Sequence, residues 1–579
     1  MNTFVKFYKF VWRYKGTFLW ATFLLIISQI IYNFGNYYVQ YLVDAANTPH
    51  TAPYDFINII AAFIAIMLFS MVLSTIAWTV SDNNSFKSGR DLRIKVLSQL
   101  HDLDFAYHAN KKSGSLISLI RRGDGAFFSF YHELNKEILL IIVDFVFIII
   151  AFASIDFRFV AIILVSVVFM LISTVFLLRE NIKSRAKFNK TEDDISGIIA
   201  DNLINFETVK FFAKEKFERH RLVKKFQEWL ANLWGYSFSF RLIGIVISLI
   251  EVFSMALIFY VCVSLFQAGD LTNGAFVLVI TFTIRFYPQM FNLIFRLREI
   301  AKNHTDLEKY MNILDIEPQI KDSKASIDLK KAKGAIEFKN VFFGYKPQNR
   351  VLEGFDLSIK PHESVAFVGT SGAGKTTLVK LLLRFYDIDS GEILIDGINI
   401  KDIKKSSLRA NIGLVPQEPV LFNDTIKYNI SYPKNNISMD EIEKAARHAN
   451  LNDFINKLPE KYETEVGERG IKLSGGQKQR LAIARAFLAD TSVVVFDEAT
   501  SQLDSFSEKL IQDAFWRVAK NKTSIIIAHR LSTVMRADRI IVLQNGKIVE
   551  EGTHKQLSSR KNGVYKGLWE MQRGGMLVE

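Results

Sequence analysis

Val365-Ala366-Phe367-Val368-Gly369-Thr370-Ser371-Gly372-Ala373-Gly374-Lys375-Thr376-Thr377 is the stretch on which the reading of this chain turns. Val365, Phe367 and Val368 read as a buried strand, Gly369, Gly372 and Gly374 as a loop, and Leu378, Leu381 and Leu382 as the apolar face of a helix. Strand, glycine-rich turn and helix in that order make a phosphate-binding loop. Its glycines let successive backbone N–H groups turn inward on an anion, the helix N-terminus adds its positive end, and Lys375 supplies a point charge. Thr376 offers a hydroxyl to Mg²⁺. The same spacing arises by chance in flexible loops, so the surrounding sequence has to decide.

At 579 residues, with 49% hydrophobic residues, the chain is too long for one ordinary domain and apolar enough for part of it to lie in lipid. Its one cysteine, Cys262, sits inside an apolar run, which excludes a disulfide framework and a cysteine metal site. The net charge of +13 fits nucleic acid or an anionic membrane surface, and the placement of the charges chooses between them.

Residues 1–16 set Phe4, Phe7, Tyr8, Val11 and Trp12 at helical spacing beside Lys6, Lys9, Arg13 and Lys15. This pattern predicts an amphipathic helix lying at the cytoplasmic face of a membrane. A signal peptide is disfavoured, because no small-residue cleavage site follows the first apolar run. Apolar runs near 18–39, 56–80, 138–155, 159–178, 242–267 and 271–295 can each cross about 30 Å of hydrocarbon, which predicts six membrane helices within residues 17–316. Connections near 40–55 and 268–273 carry no Lys or Arg, whereas 81–137 and 179–241 are dense in both. That asymmetry predicts a multi-pass protein with both termini in the cytosol, a basic membrane edge and no nucleic-acid partner. The two basic connections keep helical patterning, as in Leu92, Ile94, Val96, Leu97 and Leu100, so the membrane helices are expected to continue into the cytosol and meet at tight bends.

Asn33, Asp144, Glu251 and Arg285 fall inside the spans. Charges in hydrocarbon face a bundle interior or a water-filled cavity, so Glu251 and Arg285, at similar depth, are expected to form an ion pair, with a role in a substrate cavity as the competing reading. Pro288 is expected to kink the last span.

Residues 317–333 mix Pro, Lys, Asp and Ser and read as a linker, and from Gly334 short strands and helices replace the long apolar runs. Ile336, Phe338 and Val341, then Leu352 to Ile359, then Ile393 and Leu394 suggest an antiparallel edge; Val493–Phe496 and Ile525–Ala528 suit a buried parallel sheet. The first of these parallel strands runs into Asp497 and Glu498, and the second into His529. At the carboxyl edge of such a sheet Asp497 orients Mg²⁺, Glu498 acts as general base toward water, and His529 reaches the terminal phosphate. A DE pair at a strand end is otherwise an ordinary solvated turn; the phosphate loop upstream tips the balance.

Leu473-Ser474-Gly475-Gly476-Gln477, twenty residues before Asp497, closely resembles the signature of ABC transporter ATPases. Tyr345, Gly369–Thr376, Gln417, Asp497-Glu498, Ser501–Asp504 and His529 stand around it in the family's order. The likeness covers the whole chain and implies an exporter-type half-transporter: a multi-domain membrane protein with an all-α six-helix transmembrane domain, then an α/β P-loop ATPase domain with an antiparallel β edge over 334–579. Thr464–Gly470 resembles the loop that exporters carry before the signature. The resemblance implies that Tyr345 stacks on adenine and that Gly369, Thr370, Ser371, Gly372, Ala373, Gly374, Lys375 and Thr377 hold the phosphates of ATP. It assigns Mg²⁺ to Thr376, Gln417 and Asp497, catalysis to Glu498 with His529 and Gln417, and Asp504 to the nucleotide site. Ser474, Gly475, Gly476 and Gln477 would cover the γ-phosphate of a second copy in a homodimer, or of a related half-transporter. Gln502 departs from the alanine more usual there.

Segments near 105–116 and 203–213 resemble coupling helices that dock on the ATPase domains. Asn205-Phe206-Glu207-Thr208-Val209-Lys210-Phe211-Phe212 is similar to the mitochondrial iron–sulfur-export and heavy-metal-tolerance branch, although Ser248–Ser254 lacks the Asn and Gln associated with glutathione there. The implied activity is ATP-driven export of a small hydrophobic or amphipathic compound, a lipid or a thiol conjugate, from the cell membrane of a bacterium if the source is bacterial. A regulatory membrane protein that gates without pumping is the alternative class; a soluble ATPase acting on nucleic acid is excluded by the spans.

Overall fold

The computed structural model describes residues 3–47, 53–111, 113–346, 349–370, 372–467, 470–497, 505–528 and 531–575. The chain divides into two compact units, Met1–Asp102 with Lys111–Glu317, and Leu103–Asn110 with Pro318–Glu579.

The first unit is helical: α1 (Thr3–Val11), α2 (Lys15–Asn47) and α3 (Pro53–Asp102) precede α5 (Ser113–His132), α6 (Ile138–Ala153), α7 (Phe157–Ile204), α8 (Phe206–Phe211), α9 (Glu215–Gln267) and α10 (Asn273–Met311). The short α4 (Phe105–Asn110) between α3 and α5 belongs to the second unit. Five helical stretches, containing α2, α3, α7, α9 and α10, are long and apolar enough to cross a membrane. The remaining expected span is α6, 16 residues long and apolar throughout apart from Asp144; it continues from α5 through a π-helical turn, Glu133–Glu137. At 1.5 Å per residue the 50, 48 and 53 residues of α3, α7 and α9 run to roughly 70–80 Å, more than twice the hydrocarbon thickness. These helices therefore continue far beyond the bilayer, as their cytosolic patterning implies. The last helix, α10, runs unbroken through Pro288, where the missing N–H leaves one intrahelical bond unmade.

Part of the apolar stripe of α1 packs on protein: Phe7 and Val11 are fully buried, the Phe7 ring lies 5.2 Å from Phe127 and 5.1 Å from Phe130 of α5, while Phe4 and Trp12 remain exposed. Lys6, on the same helix, is buried; its ammonium donates to Asn312 Oδ1 at 3.2 Å and pairs with Asp315. An aromatic face on α5 thus covers part of the stripe and leaves the rest exposed.

One expectation needs correction: Arg285 pairs with Asp144 and not with Glu251. Its Nη2 donates to Asp144 Oδ2 at 3.1 Å and to Asn33 Oδ1 at 2.7 Å, and its guanidinium lies 4.7 Å from the centre of the Tyr32 ring. The amides of Gln29 and Asn33 both donate to Asp144 Oδ1, at 2.6 and 2.5 Å. Depth along the membrane is shared by all three charges, but the side of α10 that carries Arg285 faces α2 and α6. Removing one partner of such a pair strands the other charge in an apolar bundle, at a cost of about 3–5 kcal/mol. Asp144→Ala should therefore lower thermal stability in detergent markedly, and Asp144→Ala combined with Arg285→Leu should lose much less than the sum of the single changes. Additive losses in a double-mutant cycle would show that the contact carries no energy.

The second unit holds two sheets. One is antiparallel, in the order β2 (Asn349–Ile359), β1 (Ile336–Lys346), β4 (Ser390–Ile395), β5 (Ile398–Asn399). The other has the order β10 (Lys547–Gly552), β9 (Arg539–Gln544), β3 (Ser364–Gly369), β8 (Thr523–Ile527), β7 (Val493–Asp497), β6 (Ile412–Val415). From β9 to β6 its neighbours are parallel. Successive strand residues point to opposite faces. Val365, Phe367, Val493, Val495, Ile525 and Ile527 join a core with Leu378, Leu381 and Leu382 of α11 (Lys375–Leu382). Their neighbours Ala366, Val368, Val494, Phe496 and Ile526 join a second core. That core holds α13 (Ile426–Ser431), α14 (Met439–His448), α15 (Asn452–Asn456) and α16 (Gly475–Ala489), while the short α12 (Lys405–Ala410) precedes β6. The phosphate-loop helix and the signature helix thus lie on opposite faces of one sheet.

Candidate nucleotide site

Parallel strands end together, so the carboxyl edge of this sheet lines up the ends of β3, β8, β7 and β6. In that order the edge carries the Gly369–Thr376 loop, the chain entering His529, then Asp497, then Gln417 two residues beyond Val415.

Gly369 closes β3 with φ of +154°, and a Cβ there would meet the Leu543 carbonyl oxygen of β9 at 2.1 Å, so only glycine fits. Gly374 precedes α11 in the left-handed region, at φ +100°, and no described side chain caps the helix. The first-turn N–H groups of α11 are thereby left to an anion. The Lys375 side chain is buried, and its Nζ donates to the carbonyl oxygens of Gly369 at 2.8 Å and Thr370 at 2.9 Å. Its charge is therefore held across the cradle that the loop backbone forms. Thr376 is exposed at the mouth, while Ala373, Gly374 and Thr377 are buried beneath it.

Tyr345, near the end of β1, comes to the same place: its hydroxyl lies 3.2 Å from Thr377 Oγ1. The ring remains 46% exposed, edge-on to Phe343 at 5.1 Å and to Tyr386 at 5.2 Å, with Lys380 Nζ 5.7 Å from its centre. Burial, and secondarily the neighbouring Tyr345, push the Tyr386 hydroxyl above its usual range. An open, braced aromatic face next to a phosphate cradle suits a nucleotide whose base stacks there.

The donor set for a divalent ion fits Mg²⁺. Thr376, Gln417 and Asp497 would supply one carboxylate and two neutral oxygens, the last two from the adjacent ends of β6 and β7 and Thr376 from the start of α11 after β3, a set that leaves much of the shell to phosphate oxygens and water. Glu498, His529, Ser371, and Ser501–Asp504 including Gln502 lie outside the described residues, as do Glu468 and Arg469 of the loop before the signature.

Ser474 is the N-cap of α16: its Oγ accepts from Gln477 N, and Gln477 Oε1 accepts from Ser474 N at 2.8 Å. This capping box fixes the start of the helix while Ser474 and Gly475 remain exposed. Gly476 is buried below them. The helix ends that carry the phosphate loop and the signature serine thus belong to opposite faces of the sheet.

Sequence reasoning missed the supports. Gln479, buried on α16, donates to the Pro416 carbonyl at 3.3 Å and also to that of Gln417, tying the signature helix to the segment after β6. Phe105 of α4 stacks on Phe385 with ring centres 4.8 Å apart and planes 7° from parallel, and meets Tyr386 edge-on. An aromatic pair directly after α11 was the available signal for that last contact.

Residues 18–288 match the family described as ABC transporter transmembrane region, and residues 352–501 the family described as ABC transporter. The chain belongs to the ABC transporter family and is an integral membrane protein with a transmembrane region followed by an ATP-binding domain. It is similar to ATP-binding cassette sub-family B member 6 of Homo sapiens, 36% identical over 84% of this chain and 58% of that protein. Arabidopsis thaliana ABC transporter B family member 24, mitochondrial, is 35% identical over 88% of this chain and 75% of its own length. The heavy metal tolerance protein of Schizosaccharomyces pombe is 36% identical over 84% of this chain and 59% of its own. The chain thus spans a little under three fifths of the first and last of these relatives. Among solved structures, a bacterial Atm1-family ABC exporter with ATP bound matches at a TM-score of 0.85 and 31% identity, over 96% of this chain and 98% of that one.

The geometry predicts a separation of effects in nucleotide binding. Lys375→Ala should abolish detectable binding of a fluorescent ATP analogue. Tyr345→Ala should weaken it about fivefold or more, since stacking on a base is worth about 1–3 kcal/mol, and Tyr345→Phe should restore it. Equal affinities for the alanine and phenylalanine variants would remove Tyr345 from the base site.

Proposed function

We propose that the chain is an ATP-driven exporter that works as a homodimer and moves a small hydrophobic or amphipathic compound across a membrane by alternating access. The observation that carries this reading is the separation of α11 and α16 on two faces of one sheet, which supports the phosphate cradle and the exposed signature serine serving two different sites.

In the proposed cycle Lys375 and the loop amides bind the β- and γ-phosphates, Tyr345 stacks on the base, and Thr376, Gln417 and Asp497 hold Mg²⁺. Ser474 and Gly476 of a second copy cover the γ-phosphate. Glu498 takes a proton from the attacking water while His529 holds that water in line. Closure of the two sites is passed to the membrane helices through α4, which Phe105 anchors on Phe385, and through α8. Phe206, Phe211 and Phe212 at α8 are 57%, 80% and 70% exposed, a surface suited to docking on the ATPase domain of the partner copy. Both termini and these bends lie in the cytosol, on the basic side of the membrane.

The test uses the protein in nanodiscs and vesicles. Glu498→Gln should reduce ATP hydrolysis by about a hundredfold or more, as loss of a general base does, while ATP still closes the dimer in a cross-linking assay. Residual hydrolysis near the wild-type rate would discard Glu498 as the base. Phe105→Ala should leave ATP binding intact and uncouple hydrolysis from transport; unaltered coupling would show that α4 transmits nothing.

A further inference from the structure

Where α1 meets α3 and the turn Asn312–Asp315 that follows α10, the helical unit holds a cavity of about 620 Å³. Four cationic side chains line it, Lys6, Lys9, Arg13 and Lys95, against two carboxylates, Asp91 and Asp315. Both carboxylates are already answered. Asp315 pairs with the buried Lys6, and Asp91 takes Arg13 at 2.9 Å and Arg90 at 2.8 Å. Lys9 and Lys95 are exposed and make no ion pair among the described residues. Two positive charges are thus left over in the lining, and its remaining walls are largely apolar, with Phe10, Leu314 and a 61% exposed Ile94.

That combination calls for an anion with an apolar part. A phosphate monoester carries about −1.5 to −2 charges near pH 7, which matches two unpaired ammonium groups, and an aromatic or alkyl body would take the apolar walls out of water. Depth along α3 decides where such a ligand comes from. The apolar run of α3 ends near Val80, and the α3 residues of the cavity, Asp91 to Ser98, stand 11 to 18 residues further along the same unbroken helix. At 1.5 Å per residue that is roughly 16–27 Å past the hydrocarbon, whereas the headgroup layer is only about 5–8 Å deep. A bilayer lipid ends short of the cavity, so its ligand must arrive from solution.

We propose that this cavity binds a soluble phosphate monoester with an apolar body, its dianion held by Lys9 and Lys95 and its body against Phe10, Ile94 and Leu314. The site is separate from the phosphate loop and is built by the helical unit alone. Its cytosolic placement rests on the orientation proposed above; its existence does not. Because the walls come from α1, α3 and the turn after α10, an occupied cavity ties the N-terminal helix to the ends of two membrane helices.

The probes are 1-naphthyl phosphate, 1-naphthyl sulfate and 1-naphthol, which share one ring system and carry a dianion, a monoanion and no charge. Equilibrium binding is measured to the Lys375→Ala variant in phosphatidylcholine nanodiscs, so that the phosphate loop contributes little, with empty nanodiscs subtracted. The phosphate should bind tightest and the naphthol weakest, and added salt should narrow the gap. Lys9→Gln and Lys95→Gln should each weaken the phosphate about threefold and together about tenfold, with naphthol unchanged. Lys15→Gln, outside the cavity, should alter none of the three. Equal affinity for phosphate and naphthol, or a double variant that binds the phosphate like its parent, overturns the site. Phosphatidic acid added to the nanodisc should not compete. Displacement of naphthyl phosphate by that lipid would show that a headgroup reaches the cavity and would overturn the soluble ligand. No step of this measurement needs ATP-driven uptake, so a failure of export would leave the binding order in place, and a failure of binding would leave export untouched.

Discussion

Alternation along the parallel strands is the constraint on which the ATPase half depends. Because neighbouring residues of β3, β7 and β8 face opposite ways, each strand feeds two cores, and each core recruits its own helices. The phosphate loop must be followed by a helix on one face, and the signature helix is committed to the other. Neither placement can shift without exchanging every apolar residue on the strands between them. A chain built this way carries its phosphate cradle and its exposed, capped signature-helix end on opposite faces of one sheet. The proposed homodimer draws on that separation.

The membrane half obeys a different constraint, that charge in hydrocarbon has to be answered. Asp144, Arg285, Asn33 and Gln29 answer one another and tie α2, α6 and α10 together. Every donor in that knot is directed at an acceptor on a different helix, so its effect is to fix which faces of those helices meet. Glu251, on α9, lies outside that knot.

The two halves were legible to different degrees for the same reason. A phosphate cradle is made of backbone, so it demands glycine where φ is positive and where Leu543 presses on Gly369, and those demands are written as fixed letters at fixed spacing. The strand ends that bear Asp497 and Gln417 were equally readable, because a buried parallel strand is a short apolar run. Tyr386 and Phe105, by contrast, act through tertiary packing between segments 281 residues apart, which no local pattern encodes. Helical depth can be counted from sequence, but rotation about the helix axis relative to its neighbours cannot, and that rotation gave Arg285 to Asp144. The stripe on α1 was correctly read as apolar, yet a stripe does not say whether lipid or the aromatic residues of α5 will cover it.

This difference also explains why fuel and cargo separate in the chain. ATP presents the same phosphates to every such protein, so its site is held by backbone geometry that tolerates little substitution. A cargo site between membrane helices is lined by side chains on faces that packing alone does not prescribe. The structural ion pair joins α6 to α10 and is braced by amides of α2, so the charges that fix the bundle's shape are spent on one another. Cargo recognition must then come from faces outside that knot.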